Sequence, residues 1–242
     1  MKIDVLAFGA HPDDVELGCS GVLMMEKLKG KKTGVIDLTM GELGTRGTPE
    51  TRRIESIAAT AVMQLDIRDN LELHDGFFQN DKASQVEVIW AIRKYQPDVI
   101  LCNAPSDRHP DHGRGSRLVE EAAFLAGLRK ILTTDDGISQ APWKPKYVLH
   151  YLQDRYLAPN FVYDISDVME RKIEAIKAYG TQFNSLDDAE PQTYISKPDF
   201  LDSIIYRAKM LGKMIGVPYA EGFTSEKMIG INNLDALVQH AT

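Results

Sequence analysis

The sequence predicts an α/β fold: a Rossmann-like, doubly wound and mostly parallel sheet, with strand order near 3-2-1-4 and extra C-terminal strands and helices. Two observations carry that expectation. Through the first half, short apolar runs of strand length alternate with longer runs at helical spacing, the pattern of right-handed βαβ units. Residues that start and stop helices stand at the joins.

Taken in order, Ile3–Gly9 (IDVLAFG) reads as a buried strand, and a helix follows from about Cys19 to Lys29, stopped by Gly30. Gly34–Thr39 is the second strand. After the loop MGELGTRG, Thr48 caps a helix with Pro49 in its first position. That helix reaches about Gln64 and has Ile54, Ile57, Ala58, Ala61, Val62 and Leu65 at helical spacing. A weaker strand, Asn70–His74, precedes a helix over Ser84–Tyr95. Asp98–Cys102 is the fourth strand, and a long helix follows from about Gly115 to Lys130. Thr133–Pro145 reads as loop, Lys146–Leu152 and Phe161–Ile165 as strands, and Ser166 or Asp167 as the cap of a helix reaching Tyr179. Ser185–Pro198 is polar and reads as a mobile loop or lid, Asp199–Ile215 as the last long helix, and Tyr219–Phe223 as a pocket wall or a C-terminal turn. No composition shift marks a linker, so 1–242 is expected to form one domain.

Composition narrows the function. The net charge of −7 lacks the basic footprint of a nucleic-acid binder. It leaves room for an anionic substrate, because a few arginines in a cleft set the local field. The N-terminal apolar run is too short and too soon charged for a signal peptide, and no stretch has membrane-helix length. Two cysteines, Cys19 and Cys102, make no disulfide framework; they read as core packing in a reducing cytoplasm.

The chemistry lies in two tetrapeptides. His11-Pro12-Asp13-Asp14 follows the first strand, and His109-Pro110-Asp111-His112 follows the fourth. In a 3-2-1-4 sheet these strands are neighbours, and the crevice opens at their carboxyl ends. Two imidazoles and a carboxylate are a common ligand set for catalytic zinc, with a position left open for water; iron(II) fits the same donors. Taken singly, Asp13 or Asp111 reads equally as a helix N-cap, and spacing leaves open which of Asp13 and Asp14 meets a metal.

These motifs, in AFGAHPDDVELGCSG and DRHPDHGRGSRLVEEA, together with TRGTPETRRIES, KIEAIKAYGTQF and VPYAEGF, resemble the PIG-L/LmbE-like family of zinc N-acetylglucosamine deacetylases. Within the family the sequence looks most like the deacetylases of bacillithiol biosynthesis, which act on N-acetylglucosaminyl-malate. The resemblance implies one zinc per chain held by His11, Asp14 and His112, with Asp13 as general base. It implies that His109 faces the substrate, and that Asp111 orients that ring, fixes its tautomer and raises its pKa. It also implies an acidic residue binding sugar hydroxyls near Asp75, although His74 stands where a proline is usual. The implied partner is a small N-acetyl sugar, anionic in its aglycone, with no nucleic acid or membrane involved and a homo-oligomer compatible.

Arginines form a second layer. Arg108 adjoins the HPDH motif and so lies at the crevice mouth. Arg52 and Arg53 point about 100° apart on their helix, so at most one faces the site; the resemblance favours Arg52. Both Arg52 and Arg108 are expected to edge the crevice a sugar's width from the metal, where bidentate guanidinium contacts suit carboxylates. Arg46 is a weaker candidate, and His74 reads as structural. Two other classes compete. A nucleotide-binding module would carry GxGxxG where HPDD stands. A non-catalytic zinc protein would close its site with a fourth protein ligand.

Overall fold

The computed structural model describes residues 1–183, 191–231 and 233–237. Its strands are β1 (Val5–Gly9), β2 (Thr33–Thr39), β3 (Ile67–Leu73), β4 (Val99–Cys102), β5 (Thr134–Asp135), β6 (Ile138–Ser139), β7 (Tyr147–Tyr151), β8 (Phe161–Asp164) and β9 (Ala220–Thr224). Its α-helices are α1 (Asp14–Gly18), α2 (Ser20–Leu28), α3 (Pro49–Met63), α4 (Lys82–Tyr95), α5 (Pro110–Ala126), α6 (Met169–Lys177), α7 (Gly180–Phe183) and α8 (Pro198–Ile215). Seven strands form one sheet in the order β3-β2-β1-β4-β7-β9-β8. The first five of these run parallel, in the 3-2-1-4 arrangement read from the sequence, and β9 lies antiparallel between β7 and β8.

Both faces of the sheet are covered, so β1 is buried throughout. Leu6 and Phe8 pack with Ile36, Ile92 and Leu118 beneath α4 and α5. Val5 and Ala7 point the other way, with Val35, Leu23 and Ala175 toward α2 and α6. Among the described residues no helix is long and apolar enough to cross a membrane. Cys19 and Cys102 are both buried and free.

Several local expectations are corrected. The first helix starts at Asp14, not Cys19, and is broken at Cys19 into α1 and α2. Strand β3 starts at Ile67 rather than Asn70, and β5 with β6 forms a short hairpin inside the stretch read as loop. Helix α5 starts at Pro110, five residues before the expected Gly115, because His109 caps it and Pro110 fits its first turn. Tyr219–Phe223 is neither pocket wall nor turn: most of it is β9, inside the sheet. Helix α3 turns Ile54 and Ile57 outward and buries Arg52, Ser56, Ala59 and Met63, since Arg52 must reach the end of β1. Of the loop Ser185–Pro198, positions up to 190 lie outside the described residues.

The break between α1 and α2 has a physical cause. Lys172 on α6 is 1% exposed and donates to the carbonyls of Glu16 and Leu17, both at 2.9 Å, which ends α1. Glu221 on β9 accepts from the amides of Gly21 and Val22 at 2.9 and 2.8 Å, which starts α2. The two side chains pair at 2.7 Å. A Cβ on Gly21 would stand 2.8 Å from the Glu221 carboxylate, so only glycine admits this approach. Lys172→Met strands a buried carboxylate and is expected to destabilise the fold by about 3–5 kcal/mol. Chemical denaturation checks this, and pairing the change with Glu221→Gln should recover part of the loss.

Candidate active site

The parallel pairing of β1 with β4, Ala7 beside Leu101, sets the two tetrapeptides side by side. His11 and His112 have ring centroids 5.7 Å apart, and His109 lies 4.6 Å from His11 and 5.4 Å from His112. They share a crevice of about 210 Å³ with Asp13, Asp14, Arg52, Asp75 and Arg108. A larger cleft of about 420 Å³, between α3 and β3, holds none of the histidines.

Asp14 is the hub. Its Oδ1 accepts from Gln153 at 2.6 Å and lies 3.1 Å from His112 Nε2. Its Oδ2 accepts from Asn103 at 3.1 Å and from the His11 amide at 3.0 Å, and lies 3.5 Å from His11 Nδ1. Burial alone would raise its pKa, but the His112 and His11 rings hold it well below the usual carboxylate range. Each of those rings is backed by carboxylates. Asp107 takes His112 Nδ1 at 2.7 Å. Asp75 and Asp111 lie 3.0 and 3.4 Å from His11 Nε2. Against the opposing effect of burial, Asp14 and Asp107 push His112 up to about 9, and Asp111, Asp14 and Asp75 push His11 well above its ordinary value.

Imidazole nitrogens and carboxylate oxygens of this kind are donors that suit a divalent ion. Ligands about 2.0–2.1 Å from a tetrahedral metal stand roughly 3.3 Å from one another; the two imidazoles lie 3.1 and 3.5 Å from Asp14, each at a different one of its oxygens. A carboxylate behind each imidazole is the usual outer support of a metal-binding histidine. Among the described residues the groupings close enough to hold an ion are His11 with His109 and His112, and His11 with Asp75 and Asp111; the expected set of His11, Asp14 and His112 is not one of them. In the second, both carboxylates address the same nitrogen of His11, so they support that ring rather than define another centre.

Asp13 sits at φ +119°, a left-handed backbone that costs a non-glycine residue about 1–3 kcal/mol. Arg52 holds it there, donating to the Pro12 carbonyl and to Asp13 Oδ2, the latter at 3.2 Å. Burial raises the Asp13 pKa, and Arg52 only partly opposes the rise. Arg52 therefore lies inside the crevice against Asp13, not a sugar's width outside it. Arg108 does sit at the mouth, with its side chain 43% exposed, 3.0 Å from Asp154 and over the ring of Tyr194.

The expected pairing of Asp111 with His109 is also corrected. With α5 starting at Pro110, Asp111 falls in its first turn and reaches His11, the Gly76 amide at 2.7 Å and Arg114 at 2.6 Å. His109 instead accepts the backbone amide of Asp111 at 3.3 Å, and burial with the His11 and His112 charges lowers its pKa. Asp75 spends its second oxygen on the Leu43 amide. Arg46 is buried away from the crevice, donating to the Thr181 and Pro191 carbonyls, and His74 is exposed. Sequence reasoning passed over Asn103, Asp107 and Gln153. Asn103 and Gln153 had a signal: each is polar and directly follows the apolar run of a strand that opens on the crevice.

Residues 6–123, which span both tetrapeptides, match the family model described as PIG-L, GlcNAc-PI de-N-acetylase. The chain is 33% identical to the conserved protein TT1542 of Thermus thermophilus, covering 95% of this chain and 98% of that one with a TM-score of 0.84. The chain is therefore similar to the PIG-L family over the part that carries both tetrapeptides. It is also 28% identical to the diacetylchitobiose deacetylase of Thermococcus kodakarensis, over 90% of this chain and 81% of the relative. The chain is thus an N-acetyl deacetylase, an amide-hydrolysing enzyme. GalB of Pseudomonas putida, a 4-carboxy-2-hydroxymuconate hydratase, is 19% identical and covers 97% of this chain and all of its own, with a TM-score of 0.77. That likeness is one of fold alone, so the chemistry of this deacetylase has to be argued from its side chains.

Proposed function

We propose that this deacetylase hydrolyses the acetamide of an N-acetylglucosaminyl conjugate at one divalent metal, zinc or iron(II), held by His11, Asp14 and His112. The observation that carries the reading is Asp14 lying between the two imidazoles with Asp13 beside it. When bound, such an ion polarises the acetamide carbonyl and acidifies a water. Asp13, with its pKa raised by burial, takes the proton of the attacking water. His109, on the opposite wall, faces the developing oxyanion and passes a proton to the leaving amine. A lowered pKa makes it a readier donor once protonated. Asp111 acts through His11 by fixing that ring, and Asp75 offers its remaining acceptor capacity to sugar hydroxyls.

The finer reading is an acidic aglycone, N-acetylglucosaminyl-malate in bacillithiol biosynthesis, in the cytoplasm. Arg108 supports it, because it stands at the mouth with its side chain 43% exposed. Acetate release from N-acetylglucosaminyl-malate, free N-acetylglucosamine and diacetylchitobiose, with bound metal quantified, tests both levels. Equal turnover of acidic and neutral glycosides removes the finer reading, and release from none of them removes the coarser one.

The arginines divide in the same assay. Losing one charge-assisted contact costs about 1.5–3 kcal/mol, tenfold to a hundredfold in kcat/KM. Arg108→Ala is expected to lower kcat/KM for the malate glycoside by that factor, mostly through KM. Arg52→Ala should lower kcat for every substrate, because it also frees the Asp13 backbone.

A further inference from the structure

Arg108 stands at the crevice mouth with its charge already answered. Its Nε lies 3.0 Å from Asp154 Oδ2, and its guanidinium lies over the ring of Tyr194. The other Asp154 oxygen accepts from the Tyr194 hydroxyl at 3.1 Å. A substrate carboxylate that reaches Arg108 therefore meets Asp154 there. Two carboxylates on one guanidinium repel each other, so an acidic aglycone gains little from Arg108 while Asp154 stays in place.

Arg207 on α8 gives Asp154 a second place to go. It is half-buried, and among the described residues it forms no ion pair. Its guanidinium donates to the backbone carbonyl of Asp154, at a long 3.4 Å. Burial lowers its pKa, and the fields of Asp154, Asp107 and Tyr194 only partly oppose this. Asp107 has no oxygen to spare: one takes His112, and the other takes the amides of Arg108 and Arg155. Asp154 is thus the carboxylate that Arg207 lacks. The carboxylate and the carbonyl of one residue are close neighbours, so a cation held at the carbonyl is a side-chain rotation away from the carboxylate. Space for that rotation exists. A cleft of about 330 Å³ opens beside Asp154, walled by Arg207, Arg155, Tyr206 and Met210. Arg155 is exposed, so water already screens its charge.

We propose that Arg207 is a positioning residue for substrate choice, taking Asp154 over from Arg108 when an acidic aglycone arrives. The inference rests on the acidic-aglycone reading above and supplies what that reading lacks, a way to vacate Arg108. Before binding, Asp154 pairs with Arg108. In the complex the substrate carboxylate pairs with Arg108, and Asp154 pairs with Arg207. A neutral glycoside leaves Asp154 where it is.

The test is steady-state acetate release by the metal-loaded full chain, with N-acetylglucosaminyl-malate and with free N-acetylglucosamine. Arg207→Gln is expected to raise KM for the malate glycoside about tenfold. Its kcat, and both constants for the neutral sugar, should hold within about twofold, because the exchange touches only the acidic end. Arg207→Lys keeps a cation for Asp154 and should restore most of the loss, which a packing defect would not allow. Asp154→Asn removes the competing charge and should lower KM for the malate glycoside about tenfold. In that background Arg207→Gln should cost less than about threefold, since only its screened long-range charge is left to lose. A tenfold cost in both backgrounds would mean that Arg207 meets the substrate itself, and overturns the exchange. So does a malate preference in the parent that ignores both Arg207→Gln and Asp154→Asn, although the acidic-aglycone reading then stands. Equal KM for the two substrates in the parent removes the reading and the exchange together.

Discussion

Asp13→Asn is expected to leave metal content unchanged and lower kcat by about 10²–10⁴-fold, the usual contribution of a positioned general base. The asparagine amide cannot accept a proton from water, yet it keeps the size of the side chain and its oxygen contact with Arg52. The backbone strain at φ +119° should also survive, because asparagine tolerates left-handed geometry as well as aspartate does. Metal analysis and acetate release on one preparation check both halves. If metal is lost along with activity, Asp13 is a ligand and the assignment of Asp13 and Asp14 is reversed.

The second large effect is expected from His112→Ala, which removes one of the proposed metal ligands and leaves Asp14 and Asp107 facing each other without the imidazole between them. Metal should fall to trace levels and turnover to background. Chelation of the parent protein should give the same loss, reversed by one equivalent of zinc or iron(II). Asp107→Asn should fall between the two, since support behind a metal-binding histidine is worth about 10–100-fold in affinity. Full activity in a chelated, metal-free protein would end the metal-centred reading.

How far the site was legible follows from which facts were local. The meeting of His11 with His112 required only that the first and fourth strands be neighbours, and alternating strand and helix patterns supply that. The partner of Asp111 required the first residue of α5, and a shift from Gly115 to Pro110 swings its carboxylate from His109 to His11. The inward face of α3 was not legible for a different reason. Periodicity reveals a stripe but not which side of the helix the core lies on, and here one buried arginine outweighs two isoleucines. Strand β9 was hidden by length and composition: five residues with a central glycine and a glutamate carry little strand signal.

That glutamate sets an order of events in synthesis. Glu221 fixes the start of α2 from 200 positions downstream, and Gln153 grips Asp14 from 139. The N-terminal HPDD segment leaves the ribosome first but has no finished scaffold until nearly the whole chain has followed. Closing loops of this span is the slow, entropy-limited part of folding. Nascent chains stalled before residue 221 should therefore capture metal poorly, with full capture arriving only once β9 is free to insert. The centre at the front of the sequence is among the last features of the molecule to mature.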